Sequence, residues 1–588
     1  MPNTLEIAKL REPEGLATGI ANKFVAWENS RSKWYANAKE TLENLYATST
    51  REIQNQAHEW DNSTHIPKLT QIRDMLITYY LDAMFGLPDY VDWEPYSKES
   101  TSFEVKNSLK SLIKQLLDDS DFKPTIRQIV EDYVDFGNAF ATAVPYTKRL
   151  GESILYEGPK AFRINPMDIF FDPLASSFEK APKIIRTVMT LGELMQSAEQ
   201  FTQDENMFNK ALKKALDKRH YIYDTIAANP KDAIVDDMCH IAGFDTWSTY
   251  YASDTVELLT FYGDLYDIDT QNMYKGVRIV VMDRCHVLIN EPINNYGFGC
   301  NILKAGWRDR KDNLWSMSPL DNIKGLQYMI DFLENKRADI FNYISNPIIV
   351  TQGDAEMPEY IYPGCHIGLD NDATLQFARP DATALQADLY ISNYLNQMEE
   401  MAGMPKEAMG FRTPGEKTAF EVSQLNTAAS RLFNEKIHKF EMELLEPLLT
   451  LMLRIYTQDS NNIVQLRAVD EDGVVTFTDL DINTLNTEGR FVATGSSTYT
   501  ERAQLAQTLL QIANTAYYSD PLVSNWFDPK KIAQTLVQTT GLDKIDGILR
   551  ENARVDAELQ MRQAAEAATQ MMEETQVRGL ENAQQGIM

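Results

Sequence analysis

The chain has 588 residues, a length that predicts several domains rather than one. Its 56 basic and 85 acidic residues give a formal net charge of −29, which argues against a protein that grips a nucleic-acid backbone with a basic face. Four cysteines are too few for a disulfide-stapled chain and indicate a reducing compartment.

The N-terminal sequence carries no pattern of a targeting or membrane segment. The stretch MPNTLEIAKLREPEG lacks the basic-then-apolar order of a signal peptide. The longest apolar run near it, MLITYYL at residues 75–81, is far too short to cross a bilayer. We therefore expect an intracellular product or a virion component with no membrane partner.

Helical periodicity dominates the first 140 residues. Apolar residues at helical spacing predict one or two long helices over residues 15–60, another over 68–85 and a helical stretch over 105–139. Gly137 and Asn138 are typical of a C-cap for the last of these.

Strand patterns follow. Short β-rich runs separated by Pro and Asn predict a small sheet over residues 141–190, and residues 191–225 return to a helical pattern. The runs TVELLTFYGDLY and VRIVVMDRCHVLIN, at residues 255–266 and 277–290, predict paired strands. The first half of the chain is thus predicted to be α+β.

A long helix is predicted after residue 317. Ser318 can cap it, Pro319 suits its first position, and Asp321 lies in the first turn, where negative charge is favourable. An apolar stripe then continues to about residue 345 through Ile323, Leu326, Ile330, Leu333, Ile340 and Ile344.

Two further helices follow a β-rich insert. Residues 346–382 have the texture of strands and turns, and a second long helix begins near Thr383 and ends at Gly403. One helical pattern covers residues 418–458. Pro447 should kink that helix, because proline removes a hydrogen bond and clashes with the preceding turn.

Strands and then helices are predicted for the C-terminal part. Residues 462–495 are strand-like, with DEDGVV as a hairpin turn. Thr498 and Glu501 form a capping box that opens a run of helices. Residues 551–588, rich in Ala, Glu, Gln and Met, are expected to form a solvated helix that frays into disorder.

The loop between the two later helices nearly spells a phosphate-binding motif. Gly410 and Gly415 have the Walker separation, but Glu416 stands between the second glycine and Lys417–Thr418. That carboxylate falls where a phosphate would sit, and a helix rather than a strand precedes the loop. A mobile connecting loop is the favoured interpretation, and a nucleotide-binding enzyme that uses residues 410–418 is the alternative.

Other candidate sites are weaker. Adjacent Cys–His pairs invite a zinc hypothesis, but strand neighbours point to opposite faces and no metal-ligand spacing accompanies the pairs. We expect core cysteines beside half-exposed histidines, and a solvated turn rather than a cation site at residues 116–122, LLDDSDF. The three Cys–His pairs are Cys239–His240, Cys285–His286 and Cys365–His366.

No catalytic motif is present in the sequence, so no enzyme activity, metal or cofactor is predicted.

Four stretches resemble known motifs in a recognisable order. DYVDFGNAFATAVPY and FRINPMDIFFDPLAS, at residues 132–146 and 162–176, look like a helix-then-sheet signature. TPGEKTAFEVSQL at residues 413–425 is similar to a loop-to-helix junction, and FVATGSSTYTERAQLAQTLLQ at residues 491–511 to an entry into C-terminal helices. Together they resemble the portal, or head-to-tail connector, proteins of tailed bacteriophages, most closely those of short-tailed phages, over nearly the whole chain.

The resemblance implies an α+β fold that is mainly helical and is divided into the parts of a portal. These would be the wing (residues 1–316), stem helix 1 (317–345), a β-rich clip (346–382), stem helix 2 (383–403), a tunnel loop (404–418), a kinked helix with wing strands (419–495) and a helical crown (496–588), whose tail would either form a barrel of helices or be disordered.

It also implies which residues would meet DNA. Gly410 and Gly415 would give the tunnel loop conformational freedom, and Lys406, Arg412 and Lys417 would supply the basic groups nearest the phosphates. Carboxylates on the stem would repel the DNA duplex and so prevent tight binding. Alternatively, they would lie on ordinary solvated helix faces and have no such role. The stem carboxylates considered are Asp331, Glu334, Asp388, Glu399 and Glu400.

The function implied is a channel at one capsid vertex of the virion, through which double-stranded DNA passes during packaging and ejection. Its partners would be about 11 further copies of the chain in a closed ring, the terminase large subunit, a head-to-tail adaptor or tail protein, and the major capsid protein. The remaining alternatives are the nucleotide-binding enzyme and a capsid-assembly or scaffold protein with no channel.

Overall fold

The structure is a computed structural model that divides into two compact units, residues 1–496 and 497–588. Only parts of the first unit are described below. They are residues 13–54, 61–86, 90–96, 103–150, 153–196, 208–216, 255–266, 271, 273–293, 296–297, 299–345, 347–353, 355–356, 366–369, 372–378, 387–402, 434–459, 463–469, 475–481 and 489–493.

The N-terminal region forms the helices that its periodicity predicts. The helix predicted over residues 68–85 has those same bounds, and the region predicted over 15–60 is helical as far as residue 54 within the described chain. The elements are α1 (Pro13–Ser30), α2 (Ser32–Tyr46), α3 (Thr50–Gln54), α4 (Lys68–Phe85) and the short strand β1 (Val91–Pro95).

The stretch predicted over residues 105–139 is two helices, α5 (Phe103–Asp119) and α6 (Phe122–Phe136). The break falls at Asp121, whose φ of 56° is left-handed and cannot continue a right-handed helix. Gly137 caps α6 with φ of 67°, as predicted.

Two antiparallel sheets follow α6. A three-stranded sheet has the order β3-β2-β9, and a five-stranded sheet runs β4-β5-β6-β7-β8 in chain order. The elements are β2 (Asn138–Leu150), β3 (Ser153–Ile164), β4 (Ile169–Phe171), β5 (Lys183–Thr190), the short helix α7 (Leu191–Gln196), β6 (Thr255–Tyr266), β7 (Met273–Met282), β8 (His286–Pro292) and β9 (Ile302–Gly306).

Helices cover both faces of the five-stranded sheet. On one face Phe24 of α1 packs with Leu259 of β6, and on the other Leu194 of α7 packs with Leu258. Neighbouring strand residues point to opposite faces, so consecutive leucines serve two separate cores. The paired strands predicted from residues 255–290 are confirmed.

Beyond β9 come a helix, a β-rich insert and a second helix, as predicted. A 3-10 turn (Leu320–Asn322) leads into α8 (Lys324–Ser345). Ser318 caps this entry: its Oγ accepts from the Leu320 N–H at 3.0 Å, and its own N–H donates to Asp321 at 2.9 Å. The elements after α8 are β10 (Ile348–Gln352), β11 (Ala355–Glu356), β12 (Gly368–Leu369), β13 (Thr374–Ala378) and α9 (Asp388–Met401).

The later helix departs from α geometry where its proline predicts. Residues 434–440 are helical, Glu441–Leu445 are π-helical, and α10 (Glu446–Asp459) follows with Pro447 in its first turn. A π-helical turn is a recognised cause of a kink, and it forms here just before the residue that lacks an N–H. Phe440, Leu444 and Leu448 are buried in the main core with α4, α5 and α6.

The last described strands complete the first unit. β14 (Ile463–Val469) pairs with β15 (Val475–Asp481), and β16 (Gly489–Ala493) pairs with β1, nearly 400 residues earlier in the chain. Trp93 and Phe491 pack edge to face across this last pair, with ring centroids 4.8 Å apart.

The mixture of helices and strands confirms the α+β class. The predicted capping box at Thr498 and the tail at residues 551–588 lie outside the described residues. One local expectation is wrong. Cys285 is exposed in the turn between β7 and β8 instead of lying in the core, although its neighbour His286 is half-buried as expected.

Candidate functional site

A set of large apolar side chains is exposed on α8, on α9 and on the strands between them. Isolated exposed apolar residues are common in folded proteins, but a concentration on neighbouring elements marks an interaction surface. We call this set the apolar surface. It consists of Met329, Phe332, Phe341 and Tyr343 of α8, Ile348 and Val350 of β10, Leu369 of β12, Phe377 of β13, and Leu389, Tyr390 and Met401 of α9.

The two helices that carry most of these side chains are neighbours in space. α8 packs along α9, and Arg337 of α8 bridges Glu334 of its own helix to Asp388 of α9. Residues 329, 332 and 343 share one face of α8, because they are three and eleven residues apart. Phe332 is 53% exposed and Leu389 is 69% exposed, so neither is covered by the rest of the chain.

The strands between the helices add to this surface. β10 pairs with β13 in antiparallel register from Ile348–Ala378 to Gln352–Thr374. Within the part of the chain that the structure describes, these two strands pair only with each other, so each has an unpaired outer edge. A two-stranded ribbon is marginal alone in water and usually needs a further partner.

A second face of α8 is held by polar contacts instead of apolar ones. Four of its side chains accept hydrogen bonds from backbone N–H groups of residues 62–69, and we call this arrangement the polar ladder. The pairs, with N···O distances of 2.8–3.1 Å, are Asp339 with Asn62, Asn335 with Thr64, Asp331 with Ile66, and Gln327 with Leu69.

The spacing of the polar ladder follows from simple geometry. Four helical residues rise roughly 6 Å, and two extended residues span roughly 6.6 Å. Side chains at every fourth helix position can therefore meet the alternate N–H groups of residues 62, 64 and 66, and the last step, to Leu69, spans three residues because α4 has begun there. Asn335 and Gln327 also donate back to the Thr64 and Ile66 carbonyls, at 3.0 and 2.6 Å.

The polar ladder contradicts one expectation about the stem carboxylates. Asp331 is only 1% exposed, and it accepts from His65 as well as from Ile66, so its carboxylate is committed inside the protomer. Glu399 of α9 is likewise buried and forms an ion pair with Lys68 at 2.6 Å. Neither side chain can line a channel, because packing against residues 61–69 shields both from solvent.

The remaining stem candidates differ from these two. Asp388 and Glu400 are exposed, and Glu334 is partly exposed beside Arg337. The expected tunnel-loop residues Lys406, Gly410, Arg412, Gly415 and Lys417 lie outside the described residues.

The polar ladder was not predicted, although the sequence contains a signal for it. Gln327, Asp331, Asn335 and Asp339 recur at four-residue spacing along α8 and leave one helical face uniformly polar. A polar face on a helix usually indicates solvent exposure, so the pattern alone does not reveal that a backbone segment covers it.

A cleft of about 810 Å³ lies between α2, α4, α6, β3 and β5. Two of its arginines are bound to buried carboxylates. Arg163 forms two hydrogen bonds to Asp132 at 2.6 and 2.7 Å, and Arg73 forms two to Asp135 at 2.6 and 2.8 Å. Burial raises the pKa of the Asp132 carboxyl to about 7, and Arg163 opposes that shift. These pairs tie α6 to β3 and α4, which is a structural role.

In the described regions, no group of three or more His, Cys, Asp or Glu side chains is arranged to hold a metal ion. Among the same residues, no helix is long and apolar enough to cross a bilayer. No protein-family model matches the sequence, and no curated protein is significantly similar to it.

Proposed function

We propose that this chain is a portal protein, which assembles into a ring-shaped channel at one vertex of a bacteriophage capsid. The order of elements supports the proposal: a helix, a β-rich insert, a returning helix and a later helix interrupted at Pro447 follow one another along the chain. This order agrees with the stem, clip and kinked helix that the sequence resemblance implies.

The apolar surface is the observation that carries the proposal. Its members would be exposed to water in an isolated protomer at a cost of roughly 25 cal/mol for every Å² that a partner could cover. A heterologous contact that closes by rotation would bury the same surface on every copy, and would also give the outer edges of β10 and β13 a neighbour. The proposed occupant is therefore a second copy of this chain, repeated about a dozen times around a ring.

Charge is consistent with a channel that DNA traverses without being held. The formal net charge of −29 per chain disfavours tight phosphate binding, and any attraction would come from a few cations per subunit, for which Lys406, Arg412 and Lys417 remain the candidates. Double-stranded DNA would pass during packaging and ejection. The terminase large subunit would supply the force, and a tail adaptor and the major capsid protein would dock at the vertex.

The test is the size and shape of the purified full-length protein. We expect light scattering after size-exclusion chromatography to give the mass of a ring of about a dozen copies, and negative-stain images to contain a central hole. A compact monomer at micromolar concentration would contradict the proposal. Pore-free assemblies would contradict it as well, and would favour a scaffold role for the same surface.

A further inference from the structure

A buried lysine and a cysteine meet where the two large sheets adjoin. Nζ of Lys183, the first residue of β5, lies 3.1 Å from Sγ of Cys300, two residues before β9. Lys183 is fully buried and Cys300 is 9% exposed. The two residues are 117 positions apart in the sequence, so only the tertiary fold brings them together.

Lys183 is buried without a carboxylate partner among the described residues. Besides the sulfur, its Nζ donates to the carbonyls of Ala181 and Glu179 at 2.9 and 3.3 Å, and it lies 4.4 Å from the centre of the Phe178 ring. Burial lowers the pKa of the Lys183 ammonium, and the nearby sulfur and, more weakly, the Glu179 carboxylate oppose this shift. A lowered pKa increases the fraction of neutral amine, which carries a nucleophilic lone pair.

Cys300 lies close to the surface despite its burial. It follows Gly299, whose φ is 61°, and precedes Asn301, whose φ is 59°, so it belongs to a tight turn. Because 9% of the residue remains exposed, a small oxidant can approach this turn, and the lysine nitrogen is already in contact with the sulfur.

We propose that Lys183 and Cys300 form a redox modification site, at which peroxide oxidation of the thiol leads to a covalent sulfenamide between Sγ and Nζ. In the first step hydrogen peroxide oxidises the thiol to a sulfenic acid, the O–O bond breaks and one water leaves. In the second step the neutral Lys183 amine attacks Sγ and the S–O bond breaks. The hydroxide leaves with a proton from nitrogen as a second water, so this step needs no further oxidant.

The bond would connect the start of β5 to the turn that enters β9. It would therefore join the five-stranded sheet to the three-stranded sheet, and a covalent link across 117 residues restricts the unfolded chain more than the folded one. The inference is independent of the proposed channel function, because it requires only the fold of one protomer.

Peptide mapping of the full-length protein tests the proposal. A variant with Cys239→Ser, Cys285→Ser and Cys365→Ser retains Cys300 as its single thiol, which removes disulfides within the chain. After hydrogen peroxide treatment and non-reducing trypsin digestion, we expect one peptide pair that contains both Lys183 and Cys300. Its mass should be that of the two peptides less two hydrogen atoms. Trypsin should fail to cut after Lys183, and dithiothreitol should restore both separate peptides.

Two variants supply controls. Cys300→Ser and Lys183→Arg should each abolish the cross-linked pair. If Lys183→Arg does not fold, the same mapping of peroxide-treated wild-type protein still shows whether the Lys183–Cys300 cross-link forms. Recovery of Cys300 as sulfinic or sulfonic acid with free Lys183 would overturn the proposal. A Cys300 thiol that stays reduced while the exposed Cys285 is oxidised in the wild-type protein would overturn it too.

Discussion

Nδ1 of His65 lies 2.6 Å from Oδ2 of Asp331, and both side chains are almost completely shielded from water. The hydrogen bond to Asp331 raises the pKa of the His65 imidazole, and desolvation opposes this effect. The pair joins the segment before α4 to the middle of the polar ladder. The protonation state of His65 therefore affects the stability of the contact between α8 and that segment.

This pair predicts a pH dependence of stability. Because the pKa of His65 is higher in the folded state, its contribution is fully present below the unfolded value of about 6.5 and is lost as pH rises through the folded value. The difference in unfolding free energy between wild type and His65→Gln should therefore be larger at about pH 6 than at about pH 9. Urea unfolding at both pH values measures it.

The control for that experiment is His438→Gln, since the His438 side chain is 61% exposed. It should change stability little at either pH. Equal losses for His65→Gln at both pH values would show that the histidine acts by packing alone.

The polar ladder predicts a large effect from one buried amide. Asn335→Leu removes the hydrogen bonds that Asn335 makes with both the N–H and the carbonyl of Thr64, and we expect a loss of about 2–4 kcal/mol in unfolding free energy. Asn342→Leu makes the same chemical change on an exposed part of α8 and should alter stability by less than about 0.5 kcal/mol. Similar values for the two variants would contradict a structural role for the polar ladder.

The apolar surface predicts an assembly defect without a folding defect. Phe332→Asp and Leu389→Asp should each weaken association by about tenfold or more, because a charge would be buried in the proposed contact between copies. Light scattering after size-exclusion chromatography should then detect smaller species, with unchanged circular dichroism. Leu174→Asp is the matched control, since Leu174 is 77% exposed in the turn after β4. Unchanged particle mass in both surface variants would contradict the proposed contact.

Substitution of alanine for two glycines is expected to change the stability of the protein in opposite directions. Gly137 has φ of 67°, and a Cβ there would overlap the backbone of Met317, so Gly137→Ala should cost about 3 kcal/mol or more. Gly325 lies in α8 with open space around it, and Gly325→Ala should stabilise the protein by about 0.5–1 kcal/mol. Thermal unfolding of the two variants in parallel distinguishes them, and a shift of the same sign in both would contradict this account.

Local features of the fold were predictable from the sequence where neighbouring residues decide them. Examples are the bounds of α4, the left-handed cap at Gly137 and the helix cap formed by Ser318. Each depends on periodicity or on side-chain chemistry within a few positions. The break at Asp121 falls within residues 116–122, where the sequence predicted a turn, although one helical stretch was also predicted over residues 105–139.

The location of the carboxylates could not be predicted in the same way. Asp331 and Glu399 have the spacing of solvated helix positions, but residues 61–69 cover them. Whether a charged side chain faces water depends on which distant segment packs beside it, and more than 260 residues separate Asp331 from Ile66.

Much of the secondary structure of the described residues, the α+β class and the strong negative charge could be predicted from the sequence, because short-range periodicity, capping and composition are properties of neighbouring residues. Only the tertiary contacts show that one face of α8 is hydrogen-bonded to backbone N–H groups while another face is apolar and exposed. The contact between Lys183 and Cys300 likewise depends on the tertiary fold. These outcomes require contacts between residues far apart in the chain, and their free energies depend on burial that no local pattern encodes.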